Sequence, residues 1–278
     1  MFILYICCWT VAVEVRAHTN GHVPLPDART QSIPLAVEAY VISDYNHTVG
    51  LQMLSLNASE YMETYMYKVS LQLQQLSPPV HIALVGYSTT TEGNADYISS
   101  TDTGDLDADG TVTKLRQYAG KSTSVQQSDL VILVTGSRIV DVSEKFAAPE
   151  MLGIAPFEGI CSNYSVAVVK DKAGWYTGVH SMVHEMGHLF GSCHDGEDTA
   201  TSCPASHGYI MSPSSHGNHS EKFSDCSKAA ISKYISSDAA RCLRYAASVN
   251  AIGVYPRKFT FPSHEDTSDY EYEESYEN

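Results

Sequence analysis

Positive charge is scarce in this chain. Lys and Arg together number 17 against 32 Asp and Glu, a formal net charge of -15 over 278 residues. That balance excludes nucleic acid and anionic membrane surfaces as natural partners. Long apolar runs are missing too. The one sustained run, residues 2–13, is about a dozen residues long and too short to span a bilayer. Internal repeats are absent, which excludes solenoids and propellers. Residues 265–278 contain no Lys or Arg at all. What is present is enough for a real core: 43% of the residues are apolar, which excludes an intrinsically disordered chain.

The short N-terminal run reads as a secretory signal peptide over 1–17, with Val15 and Ala17 as the small residues of a cleavage site. Its first residues lack the usual Lys or Arg, and the alternative is a buried N-terminal strand. Residues 18–32 are polar with Pro24 and Pro26, and read as a short leader. Four N-x-S/T sequons, at Asn46, Asn57, Asn163 and Asn218, fit an exported glycoprotein, so the expected location is extracellular. Of seven cysteines, Cys7 and Cys8 leave with the signal. Cys161, Cys193, Cys203, Cys226 and Cys242 remain, and in an oxidising compartment most should pair. Five is odd, so one is spare or bonds another chain.

The most specific stretch is His184-Glu185-Met186-Gly187-His188-Leu189-Phe190-Gly191-Ser192-Cys193-His194-Asp195, or H-E-x-x-H-x-x-G-x-x-H-D. On a helix, His184 and His188 lie one turn apart on the same face and can ligate one metal. Gly191 allows a sharp exit from the helix, bringing His194 round as a third ligand. Three protein ligands leave a fourth position open, the mark of a catalytic and not a structural zinc. Glu185 is placed to take a proton from water there. Downstream, Tyr209-Ile210-Met211-Ser212-Pro213 places Met211 as an apolar, polarizable floor beneath the imidazoles.

Elsewhere, apolar patterning predicts strands over 35–42, 80–85, 129–135 and 166–169. It predicts helices over 60–76, 113–120, 175–190 and 227–243. Strands alternating with helices indicate an α/β fold. Asp105-Leu106-Asp107-Ala108-Asp109-Gly110 imitates the start of an EF-hand loop, but the twelfth position is Arg116 where a bidentate Glu is required. It reads as an exposed turn leading into a helix.

Residues 33–245 resemble the catalytic domain of the metzincin metalloproteases, in the reprolysin (adamalysin, ADAM-like) branch. The zinc motif carries the resemblance, together with Asp195, the segment 153–161, Phe223-Ser224-Asp225-Cys226 and Cys242. In style the chain is similar to short secreted metalloproteases of tick saliva and arthropod venom. The resemblance implies a twisted five-stranded mixed sheet with helices, a zinc cleft and a small C-terminal subdomain. It implies bridges Cys161–Cys242 and Cys203–Cys226, leaving Cys193 spare. Some relatives bind a structural calcium, and Glu38 and Asp129 match two of its positions. Tyr245 stands where an Asn ligand is expected. The 15 residues 18–32 hold no Cys, so the cysteine-based latency of ADAM zymogens is expected to be absent.

The expected activity is zinc-dependent cleavage of extracellular proteins or peptides. Substrate should lie extended along an edge strand near residues 165–169, and residues 212–217 should shape the specificity pocket. The alternative is a binding protein. Residues 246–278 form an acidic, Tyr-rich tail, read as disordered, which could dock on a cationic host protein.

Overall fold

The computed structural model describes residues 35–91, 95–143, 150–213 and 219–244. The signal and leader, Asn218, Tyr245 and the acidic tail lie outside the described residues. So does most of the expected specificity segment, residues 214–217.

Chain order runs β1 (Leu35–Ser43), α1 (Tyr45–Met53), α2 (Ala58–Leu73), β2 (Val80–Thr89), β3 (Leu106–Asp107) and α3 (Ala108–Lys121). It continues through β4 (Leu130–Thr135), β5 (Ile139–Val140), β6 (Glu150–Met151), β7 (Gly153–Ile154), β8 (Val166–Lys170), α4 (Gly178–Leu189) and α5 (Asp225–Ile235). The main sheet has five strands in the order β2-β1-β4-β8-β7. Its first four are parallel, and β7 closes the edge antiparallel to β8, with Gly153 opposite Val169. The family-implied five-stranded mixed sheet is therefore present. A small second sheet joins β3, β5 and β6.

The parallel strands are apolar on both faces because helices cover both. Val37, Ala39, Ile132, Val134, Ala167 and Val169 face a core shared with residues of α2 and α4. Ile42, Val131, Leu133, Val166 and Val168 face the other way, onto Leu115 of α3. Alternation along each strand thus assigns successive residues to opposite cores.

Several sequence expectations shift here. Helix α1 was not expected, since its apolar residues have no helical period. It forms because Asp44 caps it, its side chain accepting from the His47 N–H at 2.7 Å, and because His47, Thr48 and Leu51 are buried. The EF-hand-like run supplies β3 and then the first turn of α3, so that helix starts at Ala108 and not at 113. Leu106 and Ala108 are buried there, and the run is less exposed than expected. The last predicted helix is two pieces. Helix α5 stops at Ile235, Ser236 caps it, and a 3-10 segment, Asp238–Arg244, follows. Arg244 closes the break by donating to the carbonyls of Ser236 and Ser237, both at 2.6 Å. Finally, residues 165–169 are not an edge. Strand β8 is flanked by β4 and β7, and the true edge is the two-residue β7, too short to show alternation in sequence.

Candidate metal centre

Helix α4 begins where Asp171, at the end of β8, turns back beneath the sheet. The Asp171 carboxylate is fully buried. One oxygen accepts from the Gly178 N–H at 2.8 Å and from Thr177 Oγ1; the other accepts from the Tyr61 phenol O–H at 2.6 Å and from His47 Nε2 at 3.0 Å. The negative charge thus sits at the positive end of the α4 dipole. Tyr61 extends the contact by stacking on Tyr176. Ser43, His47 and Asp171 line up like a hydrolase triad, with Ser43 Oγ 2.8 Å from His47 Nδ1, but all three are buried and hold the helix in place.

About two and three turns further on, α4 presents His184 and His188. Each ring is oriented through its Nδ1: His184 lies 2.6 Å from the Ile210 carbonyl and His188 2.9 Å from that of Ser192. Both Nδ1 atoms therefore donate, and both Nε2 atoms carry a free lone pair. Gly191, at φ +81°, ends the helix in the left-handed region and turns the chain back so that His194 arrives from the opposite side. His194 Nε2 lies 3.2 Å from each of the other two Nε2 atoms. Tetrahedral zinc with bonds of about 2.0–2.1 Å separates its donors by about 3.3 Å, so the spacing fits. A single proton could satisfy only one of these two contacts, whereas a cation can be shared by all three nitrogens. Among the described residues this is the one cluster of three such donors.

Burial holds all three imidazoles in the neutral, ligating form. It pushes His184 well below the usual range, with His188 and His194 adding repulsion, and pushes His188 down to about 3. Burial lowers His194 as well, partly opposed by Glu197. The Glu197 carboxylate lies 3.5 Å from His194 Nδ1.

Glu185 is on the neighbouring face, 5% exposed. Its carboxylate accepts a hydrogen bond from the backbone of Ala155, and burial pushes its pKa up to about 8. The edge strand passes so close that a Cβ on Gly153 would lie 2.6 Å from Glu185 Oε1. Beneath the cluster, Met211 is fully buried, and a Cβ on Gly187 would lie 2.3 Å from its sulfur. The Asp195 N–H donates to the Met211 carbonyl at 2.9 Å. The Asp195 side chain accepts from Ser224 Oγ and Ser227 Oγ, tying the third-ligand turn to the start of α5.

The remaining sequence-derived residues are placed as follows. The bridges Cys161–Cys242 and Cys203–Cys226 are both formed, and Cys193 is buried and belongs to neither. Asn46 is exposed with its amide donating to Ser137, Asn57 is exposed and caps α2, and Asn163 is half-buried. Glu38 and Asp129 are adjacent. The Glu38 N–H donates to Asp129 Oδ2 at 2.9 Å, and the Asp129 N–H donates to the Glu38 carbonyl at 2.7 Å. They form a pair, with no third acidic, His or Cys ligand among the described residues. Sequence reasoning missed Asp171, Gly153, Ala155 and Glu197. Only Glu197, three residues after His194, carried a local signal.

A converging histidine trio beside a buried carboxylate, over a Met floor in a mixed α/β fold, defines the zinc metalloprotease class. Residues 74–246 match the reprolysin (M12B) family zinc metalloprotease pattern, and the chain belongs to that family. It is 28% identical over 224 residues to the venom metalloproteinase BumaMPs1 of Olivierus martensii, covering 78% of this chain and 55% of that one. It is 26% identical to the venom metalloproteinase antarease-like TserMP_B of Tityus serrulatus, covering 75% of this chain and 96% of that one. It is 30% identical to the human A disintegrin and metalloproteinase with thrombospondin motifs 16, covering 67% of this chain and 15% of that one. The chain thus spans about half the length of BumaMPs1. No helix among the described residues is long and apolar enough to cross a membrane.

Proposed function

We propose that the chain is a secreted zinc endopeptidase acting on extracellular proteins or peptides, with His184, His188 and His194 as ligands and Glu185 as general base. The observation that carries this reading is the convergence of three Nε2 lone pairs next to a carboxylate boxed in by the sheet edge. Zinc, when bound, supplies Lewis acidity, polarising a peptide carbonyl and acidifying water. Glu185 takes the water proton on a carboxylate oxygen and passes it to the departing amine nitrogen. The Ala155 N–H holds that carboxylate in place, and burial excludes bulk water from it. Substrate backbone adds as a further strand along β7, and residues 212–217 line the pocket for its side chain.

Secretion is supported by the N-terminal pattern of residues 1–17 and by the two disulfides. The sequons at Asn46, Asn57, Asn163 and Asn218 are the candidate glycan sites. A calcium ion at Glu38 and Asp129 would need further ligands from outside the described residues.

The test is cleavage of a quenched-peptide library by the purified chain, with and without a zinc chelator. Chelator-sensitive cleavage is expected, and Glu185→Gln should lower it roughly 10²–10⁴-fold while zinc binding persists. A folded, zinc-loaded wild type that cuts nothing would sink this reading.

A further inference from the structure

In so acidic a chain, Arg116 and Lys121 both lie on α3 without a counter-charge beside them. Thr113, Arg116, Gln117, Gly120 and Lys121 recur at helical spacing along α3 and, with Asn163, line a groove of about 320 Å³. No carboxylate lines it, and neither cation forms an ion pair among the described residues. Arg116 is pre-set: its Nε donates to the Asn163 carbonyl at 3.1 Å, and its guanidinium lies 3.4 Å from the centre of the Tyr164 ring. Asn163 Oδ1 is buried and accepts no hydrogen bond. The groove therefore presents two cations. Its complement is a peptide bearing several carboxylates.

We propose that this groove docks the chain's own acidic, Tyr-rich segment, residues 265–277. That segment carries Glu265, Asp266, Asp269, Glu271, Glu273, Glu274 and Glu277, interleaved with Tyr270, Tyr272 and Tyr276. The carboxylates answer Arg116 and Lys121. The path is short. Cys242 and Cys161 are bridged with their Cα atoms 5.6 Å apart, and Asn163 and Arg244 each lie two residues beyond. Arg244 is thus within about 20 Å of the groove, and the 20 residues 245–264 can reach about 70 Å. Tethering at that range gives an effective concentration of order millimolar, so a weak, salt-sensitive contact is populated. A glycan on Asn163 would fill the same groove, so the two occupants are mutually exclusive.

The test is zero-length carbodiimide coupling of the full chain, which joins a lysine amine to a carboxylate in contact with it, followed by peptide mapping of the monomer. The expected product joins Lys121 to a carboxylate within 265–277, in preference to the exposed Lys68, Lys222 and Lys233. Its yield should fall roughly tenfold at 0.5 M salt and in Arg116→Ala. Links spread evenly over those lysines, a Lys121 link insensitive to salt, or a glycan on Asn163 with Lys121 unlinked would each overturn the proposal.

Discussion

His194 is held differently from its two partners. Backbone carbonyls orient His184 and His188, whereas His194 Nδ1 meets only the half-exposed Glu197 carboxylate, at 3.5 Å. Outer carboxylates of this kind raise ligand basicity and fix ring orientation. Glu197→Gln is therefore expected to weaken zinc binding about tenfold, measured by competition with a chromogenic chelator. An unchanged affinity would mean that the Gly191 turn alone positions His194. Glu185 and the histidines were legible in sequence because they fall within one eleven-residue span, where helical spacing dictates their relation. The Glu197 contact depends on a turn whose path no local pattern specifies.

Two elements bring the reactive groups to each other. Strand β7 approaches Glu185 so closely that only glycine fits at 153. Gly153→Val should push the carboxylate off the Ala155 N–H, lowering kcat by about 10²-fold, with zinc affinity unchanged. Equal losses in kcat and zinc binding would instead indicate general disruption of the site. Helix α4 depends on Asp171, whose buried carboxylate satisfies the helix start, His47 and Tyr61 together. Asp171→Ala strands those donors and should cost roughly 3–5 kcal/mol, a melting-temperature fall of about 10 °C by calorimetry. A loss below about 1 kcal/mol would show that the network contributes little. The helix itself was legible in sequence, but neither contact was. The segment 153–161 carried a family resemblance and no sign that it forms a strand against Glu185, and Asp171 lies 110 residues from Tyr61.

Across the whole molecule, the adjacent pair Glu38–Asp129 makes stability depend on pH. Burial, with Glu38 adding repulsion, pushes Asp129 up to about 7, against about 3.9 in the unfolded chain. The folded state therefore holds a proton that the unfolded state releases. This contribution is complete below about pH 4 and is lost as pH rises through about 7. Melting temperature should fall between about pH 4 and 7, and Asp129→Asn should flatten that slope. A wild-type slope retained in the variant would assign it to other groups. Added calcium that raised the wild-type melting temperature at pH 8, and not that of Asp129→Asn, would place an ion at the pair.

The amino-acid order by itself determined the histidine spacing, the alternation that builds four parallel strands and the cysteines available to pair. These rest on periodicities of 2.0 and 3.6 residues, which act over a few neighbours. Tertiary structure alone decided which strand is the edge, what confines Glu185, how His194 is supported and what anchors the zinc helix. Each of these joins residues tens of positions apart, and their contact is set by the packing of the two cores on the sheet, a property of the whole chain.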